Sequence, residues 1–241
     1  YAGTESATTT VKNDDNDTAG ITIAQGITPL VTSETGTTAS FTVVLDAQPT
    51  DTVTVAISGD DSTEHELSAS SLTFTTANWD TPQTITVTGV DDSLVDGDIT
   101  TTLTATASNT GGYAGTESAT TTVKNDDNDT AGITIAQGIT PLVTSETGTT
   151  ASFTVVLDAQ PTDTVTVAIS GDDSTEHELS ASSLTFTTAN WDTPQTITVT
   201  GVDDSLVDGD ITTTLTATAS NTGGYAGTES ATTTVKNDDN D

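Results

Sequence analysis

The sequence predicts an all-β protein made of tandem antiparallel β-sandwich domains, each with about seven strands. The prediction depends on a 112-residue internal repeat, on short runs rich in Val, Ile and Thr within each repeat, and on the lack of any useful helical apolar period. Because each run has one apolar face, its strand needs a second sheet to cover that face. The repeated unit is therefore expected to be a complete sandwich.

The repeat defines the domain organisation. The segment YAGTESATTTVKNDDND occurs three times, and residues 18–129 and 130–241 are identical. A period of this length is typical of whole domains in an array, not of the short units of a solenoid. We expect domains at 18–129 and 130–241, preceded by residues 1–17 as the C-terminal strand of an earlier repeat.

Alternation of apolar and polar residues identifies the strands. Phe41, Val43 and Leu45 share one face of a single run, and Thr covers the outward positions of several others. Trp79 is expected to cap one end of the core. The predicted strands of the first repeat are Ile21–Ala24, Leu30–Glu34, Ala39–Asp46, Thr52–Ser58, Leu72–Thr75, Gln83–Val90, Ile99–Ala107 and Ser118–Lys124.

The composition is strongly acidic, with 36 Asp and Glu against 3 Lys and Arg and a formal charge of −33. Self-repulsion on this scale opposes folding unless cations screen or bind the charge. Nucleic acid and anionic membrane surfaces are poor candidates as partners, because binding to either requires Lys and Arg. No apolar run is long enough for direct membrane insertion. The chain has no Cys, so bound metal is the expected means of stabilising small domains.

Acidic residues form four clusters in each repeat, next to predicted strand ends and with no neutralising Lys or Arg expected nearby. Calcium binds six to eight oxygen ligands from carboxylates, amides and backbone carbonyls, and turns rich in Asp supply them. The sequence therefore indicates calcium, although a solvated acidic surface remains the alternative. The clusters are Glu34; Asp60 and Asp61 with Glu64 and Glu66 behind them; Asp91, Asp92, Asp96 and Asp98; and Asp126, Asp127 and Asp129.

The motifs GVDDSLVDGD and VKNDDND, with the earlier Glu34, resemble the Calx-beta domain of sodium-calcium exchangers, some integrin subunits and many bacterial surface proteins. The phrase SSLTFTTANWDTPQTITVTGVDDSLVDGD is similar to the Calx-beta-like repeats of very large bacterial adhesins. The resemblance implies a seven-stranded immunoglobulin-like sandwich with calcium at one end. It departs from the family pattern where Asn128 interrupts the last acidic run and where EHEL replaces Gly-x-Asp-Tyr.

The resemblance also implies which residues hold calcium. Each acidic cluster contributes carboxylates, with Asp60 or Asp61 as the middle-loop acid, and Leu94 contributes a backbone oxygen. The metal ligands carried over in this way are Asp14, Asp15, Asp17, Glu34, Asp60, Asp61, Asp91, Asp92, Leu94, Asp96, Asp98, Asp126, Asp127, Asp129, Glu146, Asp172, Asp173, Asp203, Asp204, Leu206, Asp208, Asp210, Asp238, Asp239 and Asp241.

These observations predict a calcium-binding structural repeat of a bacterial surface adhesin. Calcium would stiffen the junctions between neighbouring identical repeats of an extracellular chain, while other domains carry the adhesive target. The alternative is a sandwich whose Thr-rich faces bind glycan or ice. An enzyme is not expected, because His65 and His177 are the only histidines, both in an acidic segment, and no nucleophile has a base beside it.

Overall fold

Alternation of buried and exposed side chains builds the strands. In the strand Val53–Ser58, the side chains of Val53, Val55 and Ile57 are buried and those between them are exposed. The computed structural model of the chain describes residue 3 and residues 6–240, and all the regular secondary structure in that part is β-strand. The same pattern recurs at the same positions of the second repeat.

Each repeat contributes nine strands. Those of the first are β1 Ile21–Gln25, β2 Leu30–Ser33, β3 Thr38–Leu45, β4 Val53–Ser58, β5 His65–Leu67, β6 Ser71–Phe74, β7 Gln83–Gly89, β8 Ile99–Ala107 and β9 Ser118–Asp126. Those of the second are β10 Ile133–Gln137, β11 Leu142–Ser145, β12 Thr150–Leu157, β13 Val165–Ser170, β14 His177–Leu179, β15 Ser183–Phe186, β16 Gln195–Gly201, β17 Ile211–Ala219 and β18 Ser230–Asp238.

Two sheets face each other in each repeat. In the second repeat they have the orders β10-β12-β16-β14 and β11-β18-β17-β13-β15, and the first repeat has the same orders at the equivalent strands. Neighbouring strands of the second repeat run antiparallel, except that β11 runs parallel to β18, with Leu142 opposite Val235. Because β10 and β11 belong to opposite sheets, the chain crosses from one layer to the other between them.

The inner faces of the two sheets form an apolar core. In the second repeat Phe153, Phe186 and Leu215 are almost fully buried, and Trp191 packs partly buried against this cluster. Tyr225 is also buried, and its hydroxyl donates to the carbonyl of Ala159 at 2.8 Å. The sequence did not indicate this tyrosine, whose polar end ties the loop after β17 to the end of β12.

The predicted fold class is confirmed, because the described residues form antiparallel, immunoglobulin-like β-sandwiches and all eight predicted strands are present. The prediction that His65 lies in an acidic loop is wrong. His65 begins β5 and is buried, because the backbone N–H groups of Glu64 and His65 both donate to the carbonyl of Asp61 and turn the chain inward. β9 also extends to Asp126, two residues beyond its predicted end.

The chain has two compact units whose limits differ from those of the sequence repeats. The first contains the residues up to Leu30, with Thr38–Thr88 and Thr101–Val123; the second contains Val31–Thr37, Gly89–Thr100 and the residues from Lys124 on. The domain limits 18–129 and 130–241 stay predictions from the repeat. The described part of the chain contains no helix long and apolar enough to cross a membrane.

Candidate metal centre

The buried side chain of Asn125 holds together three segments of the second unit that carry acidic residues. Its Oδ1 accepts a hydrogen bond from the Thr32 hydroxyl at 2.9 Å, and its Nδ2 donates to the carbonyl of Val90 at 3.2 Å. Glu34, Asp91 and Asp126 follow these three residues closely in sequence. The buried Asn125 amide therefore joins the segments that lead into Glu34, Asp91 and Asp126.

The first group of converging carboxylates is Glu34, Asp127 and Asp129, here called the Glu34 group. One carboxylate oxygen from each lies within 4.8 Å of the others. Glu34 Oε2 accepts from the backbone N–H of Asn128 at 2.9 Å, and Asp127 accepts from the N–H groups of Asp129 and Gly97 at 2.6 and 2.8 Å. Asp129 Oδ2 is buried and has no hydrogen-bond partner among the described residues.

The surroundings of Glu34 make a negative charge costly there. Its side chain is 4% exposed. Burial raises its pKa from 4.5 to about 7; the Asn128 N–H lowers it, and the nearby charges of Asp127, Asp92 and Asp129 raise it further. Burial and the charges of Asp127, Asp92, Asp91 and Asp96 likewise raise the pKa of Asp129. A cation placed among these oxygens would relieve both effects.

The second group is Glu176, Asp204 and Asp208, here called the Glu176 group, which lies wholly in the second unit. One carboxylate oxygen from each also lies within 4.8 Å of the others. Glu176 is buried, and its Oε2 accepts from Asn237 Nδ2 at 3.3 Å. Asp204 Oδ1 accepts from the N–H of Leu206 at 2.6 Å.

Of the predicted ligands, the structure brings Glu34, Asp127 and Asp129 into one group and Asp92 and Asp96 into another, with Asp204 and Asp208 in the equivalent group. Asp92 and Asp96 lie electrostatically close to the Glu34 group, because the charge of Asp92 raises the pKa of both Glu34 and Asp96. Glu176 completes the Glu176 group, although it was not among the predicted ligands. It is buried next to His177, the first residue of β14, and so does not lie in the solvated loop that the sequence suggested.

The expectation that the acidic clusters lack a neutralising cation is wrong at one point. Lys124 pairs with Asp98 at 2.8 Å and also with Asp126, and Lys236 pairs with Asp210 at 3.0 Å and also with Asp238. Lys124, near the C-terminal end of β9, points to the same side as Asp126, two residues on, because strand side chains alternate. These four carboxylates lie outside the groups of converging oxygens among the described residues.

Other predicted ligands have structural partners. Asp61 accepts from the N–H and hydroxyl of Thr63, and Asp173 accepts from those of Thr175, so these two close turns. Burial raises the pKa of Asp60 and of Asp172, which face His65 and His177 respectively. Asp91 accepts from Asn128 Nδ2 at 2.9 Å, and Asp203 accepts from Asn240 Nδ2 at 3.3 Å.

The remaining predicted positions lie at the two ends of the sequence or in the loop after β7. Asp14 pairs with Lys12, and Asp15 Oδ1 accepts from the N–H of Asp17 at 3.1 Å, all on exposed chain outside the strands. Asp241 lies outside the described residues. In the second repeat, Glu146 accepts from the N–H of Asn240 and Asp239 accepts from that of Gly209, just as Glu34 and Asp127 accept from Asn128 and Gly97 in the first. Leu94 donates its N–H to Asp92 and lies in a backbone bridge to Gln160.

No family model matches the chain, and no curated protein matches it. Among solved structures, CBD12 from CALX1.2 is 16% identical, the match covers 79% of this chain and 76% of that chain, and the TM-score is 0.31. The protocadherin GammaB4 extracellular domain is 14% identical over 95% of this chain and 33% of that chain, with a TM-score of 0.38. Titin domains z1z2, solved with telethonin, are 16% identical over 94% of this chain and 98% of that chain, with a TM-score of 0.39. Likenesses as low as these indicate no function for the chain.

Proposed function

We propose that the chain is a calcium-binding structural repeat of an extracellular bacterial adhesin, in which calcium stiffens the junctions between repeats. The observation that carries the proposal is the Glu34 group. There the buried carboxylate of Glu34 converges with the carboxylates of Asp127 and Asp129, and one buried oxygen of Asp129 has no hydrogen-bond partner within the described part of the chain. Three carboxylates supply part of a calcium shell, and backbone carbonyls and water would supply the rest. Bound calcium would contribute the positive charge that this cluster lacks.

The place of the group in the sequence supports a role at the junction. Asp127 and Asp129 directly precede Thr130, where the second copy of the repeat begins. A cation that joins them to Glu34 would fix the segment that leads into the next repeat. Without the cation, repulsion among these carboxylates opposes that arrangement.

The identity of the repeats supports a spacer over a domain with its own ligand, since each copy presents the same surfaces. The alternative, a Thr-rich face that binds glycan or ice, has no specific observation in its favour. Thr121, in the middle of one candidate Thr row, is buried. In the proposed protein the adhesive target is carried by other domains, and the array projects it from the bacterial surface.

Thermal unfolding tests calcium binding. We expect millimolar CaCl₂ to raise the melting temperature well above its value in EDTA, because a ligand that binds only the folded state stabilises it by mass action, by about 2.7 kcal/mol at a hundred times the dissociation constant. MgCl₂ should do less, since magnesium requires a tight octahedral shell. Asp127→Asn should reduce the calcium effect, whereas Asp80→Asn, an equal change of charge at an exposed loop position, should retain it.

The stiffening of the junction needs its own measurement. Spin labels on Ser71→Cys and Ser183→Cys, exposed equivalent positions of the two repeats, report the distribution of distances between them. Calcium should narrow this distribution in the parent chain and not in Asp127→Asn. If calcium raises the melting temperature but leaves the distribution of distances between the labels unchanged, the chain binds calcium and the proposed stiffening of the junction is wrong.

A further inference from the structure

His177 is buried but has no hydrogen-bond partner. Its side chain is 1% exposed, and within the described part of the chain neither ring nitrogen is paired. A buried imidazole in this state costs free energy, so its nitrogens require a bound molecule, either water or a ligand, that the polypeptide does not supply. The proposed calcium role does not use this residue, which lies outside the groups of converging carboxylates.

The same feature occurs at His65, in the interior of the sequence. His65 is also 1% exposed, and its two ring nitrogens are also unpaired among the described residues. A neighbouring core residue is equally buried in both copies, with Ile57 and Ile169 each 7% exposed. The burial of an unpaired histidine is therefore a property of the repeat itself.

His177 lines a pocket of about 490 Å³ that lies wholly in the second unit. The lining comes from both sheets, because β13 contributes Ile169 and β14 contributes all three of its residues. β14 is an edge strand of one sheet, and β15, which follows it in sequence, is an edge strand of the other. The pocket therefore opens between the two sheets at their edges. Its volume is within the range of about 300–1,000 Å³ that is typical of sites for small organic molecules.

The lining has an apolar part and an acidic part. Ile169, Leu179 and Val202 supply apolar surface, whereas Asp172 and Glu178 supply carboxylates. No Lys or Arg is among the lining residues, and the chain as a whole has a charge of −33. An anion would be repelled from such a pocket, whereas a molecule with an apolar body and a positive charge matches both parts of it.

The imidazole can accept a hydrogen bond from such a molecule. Burial lowers the pKa of His177, although the nearby charges of Asp172, Glu176 and Asp173 act in the opposite direction. The ring is therefore neutral at neutral pH, and a neutral imidazole has one acceptor nitrogen. In β14, His177 and Leu179 are turned inward while the residue between them is exposed, so the imidazole and an apolar side chain face the same side.

We propose that this pocket binds a small organic cation, with an ammonium-type group on an apolar body. The ammonium N–H groups would donate to the His177 imidazole and to the Asp172 carboxylate, and the apolar body would lie against Ile169, Leu179 and Val202. Charge-assisted hydrogen bonds of this kind are stronger than neutral ones. The site is separate from the proposed calcium site and would make the second repeat a ligand-binding domain as well as a spacer.

NMR signals of ¹³C-labelled histidine test the site, because the chain has only two histidines. The probe is benzylammonium, and benzyl alcohol is its uncharged counterpart, each titrated at neutral pH and constant ionic strength. We expect benzylammonium to shift the His177 signal in a saturable way and to bind at least about tenfold more tightly than benzyl alcohol, which lacks the charge. The His65→Gln variant leaves His177 as the single reporter, and the parent chain repeats the titration without that substitution.

Two variants alter the pocket and a third is the matched control. Asp172→Asn removes a lining charge, and Ser182→Phe fills the pocket from an exposed lining position. Each should weaken benzylammonium binding at His177 by at least about tenfold. Asp192→Asn, the same change of charge at an exposed position outside the lining, should bind as the parent does. An equal loss in Asp192→Asn would reduce the effect to general charge attraction and overturn the proposal.

The titration is carried out both in EDTA and in CaCl₂. Equal affinity is expected in the two, because no lining residue belongs to a group of converging carboxylates. The result in EDTA therefore stands whether or not the chain binds calcium. Displacement of benzylammonium by CaCl₂ at matched ionic strength would assign Asp172 to calcium and overturn the proposal. A His177 signal that does not shift with benzylammonium would show that the imidazole meets only water, and would overturn it as well.

Discussion

Glu34 is the residue whose chemistry differs most from that of an ordinary surface glutamate. Burial, with Asp127, Asp92 and Asp129 nearby, raises its pKa to about 7. The folded, metal-free protein therefore holds a proton on this carboxyl over a range in which the unfolded chain has released it. A buried position of this kind is unfavourable for a free carboxylate and suited to a carboxylate that binds a cation.

The pH dependence of stability follows from this shift. Between the ordinary pKa of 4.5 and about 7, the folded state binds more protons at Glu34 than the unfolded state does. The contribution of Glu34 to the free energy of unfolding in EDTA should therefore fall as pH rises through this window, by up to about 3 kcal/mol. Urea unfolding of the parent chain and of Glu34→Gln in EDTA, at pH values from 4.5 to about 7, measures this contribution as the difference between their free energies of unfolding.

A matched variant isolates this effect from other titrations. Burial lowers the pKa of His65, so protonation of this histidine destabilises the fold as the pH falls, which is opposite in sign to the Glu34 effect. Subtraction of the Glu34→Gln curve cancels that contribution. Glu66→Gln, at an exposed position of β5, should follow the parent at every pH. A parent-minus-Glu34→Gln difference that stays flat from acid to neutral pH would show that Glu34 is not buried as described.

At the scale of elements, the close approach of strand ends decides where the carboxylates meet. β16 ends at Gly201, where a Cβ atom would lie 2.2 Å from the Ser145 carbonyl oxygen and 2.5 Å from Asn237 Oδ1. The end of β16, which leads into Asp203 and Asp204, can lie this close to Ser145 and Asn237 only because Gly201 lacks a side chain. Sequence alternation alone does not reveal the contact.

Gly201→Ala should therefore destabilise the second repeat by roughly 2 kcal/mol, because backbone must move to admit the methyl group. The control is Gly138→Ala, where a Cβ would meet nothing within 4 Å and little change is expected. Thermal unfolding should show an early transition in Gly201→Ala alone. Equal melting curves for the two variants would contradict the close packing of β16 against Ser145 and Asn237.

At the scale of the whole molecule, charge is the dominant property. The formal charge is −33, and the structure pairs few of the carboxylates with lysine: Lys12, Lys124 and Lys236 are the chain's only basic side chains apart from its histidines. Exposed ion pairs of this kind contribute little to stability. Long-range repulsion therefore acts on the metal-free fold, and cations of any kind should oppose it.

NaCl should raise the melting temperature of the protein in EDTA, by about 5 °C between low and high salt, because screening weakens the repulsion. Millimolar CaCl₂ should raise it further than NaCl at the same ionic strength, since binding at defined groups adds to screening. A calorimetric scan of both series separates the two effects. If NaCl at matched ionic strength reproduces the whole calcium effect, the acidic loops act only as a charged surface.

Much of the fold followed from the sequence, because period-two alternation identifies a strand with one buried face wherever the run is long enough. The exception was β5, where His65 and Leu67 flank Glu66 in a run too short and too acidic to be recognised. What places such a short strand in the sheet is long-range pairing, as β14 shows by pairing with β16, and a run of three residues does not reveal that contact.

The sequence by itself determined the all-β class, the repeat and the acidic segments, since these depend on local pattern and composition. Only the tertiary structure decided which carboxylates converge. Asp98 and Asp126 pair with Lys124, while Glu176 joins Asp204 and Asp208 from the turn before β14. It also decided that Val95 is covered and Val207 is not, although their local sequences are identical. Local sequence fixes which side chains are available, whereas convergence and burial depend on what the folded chain places beside them.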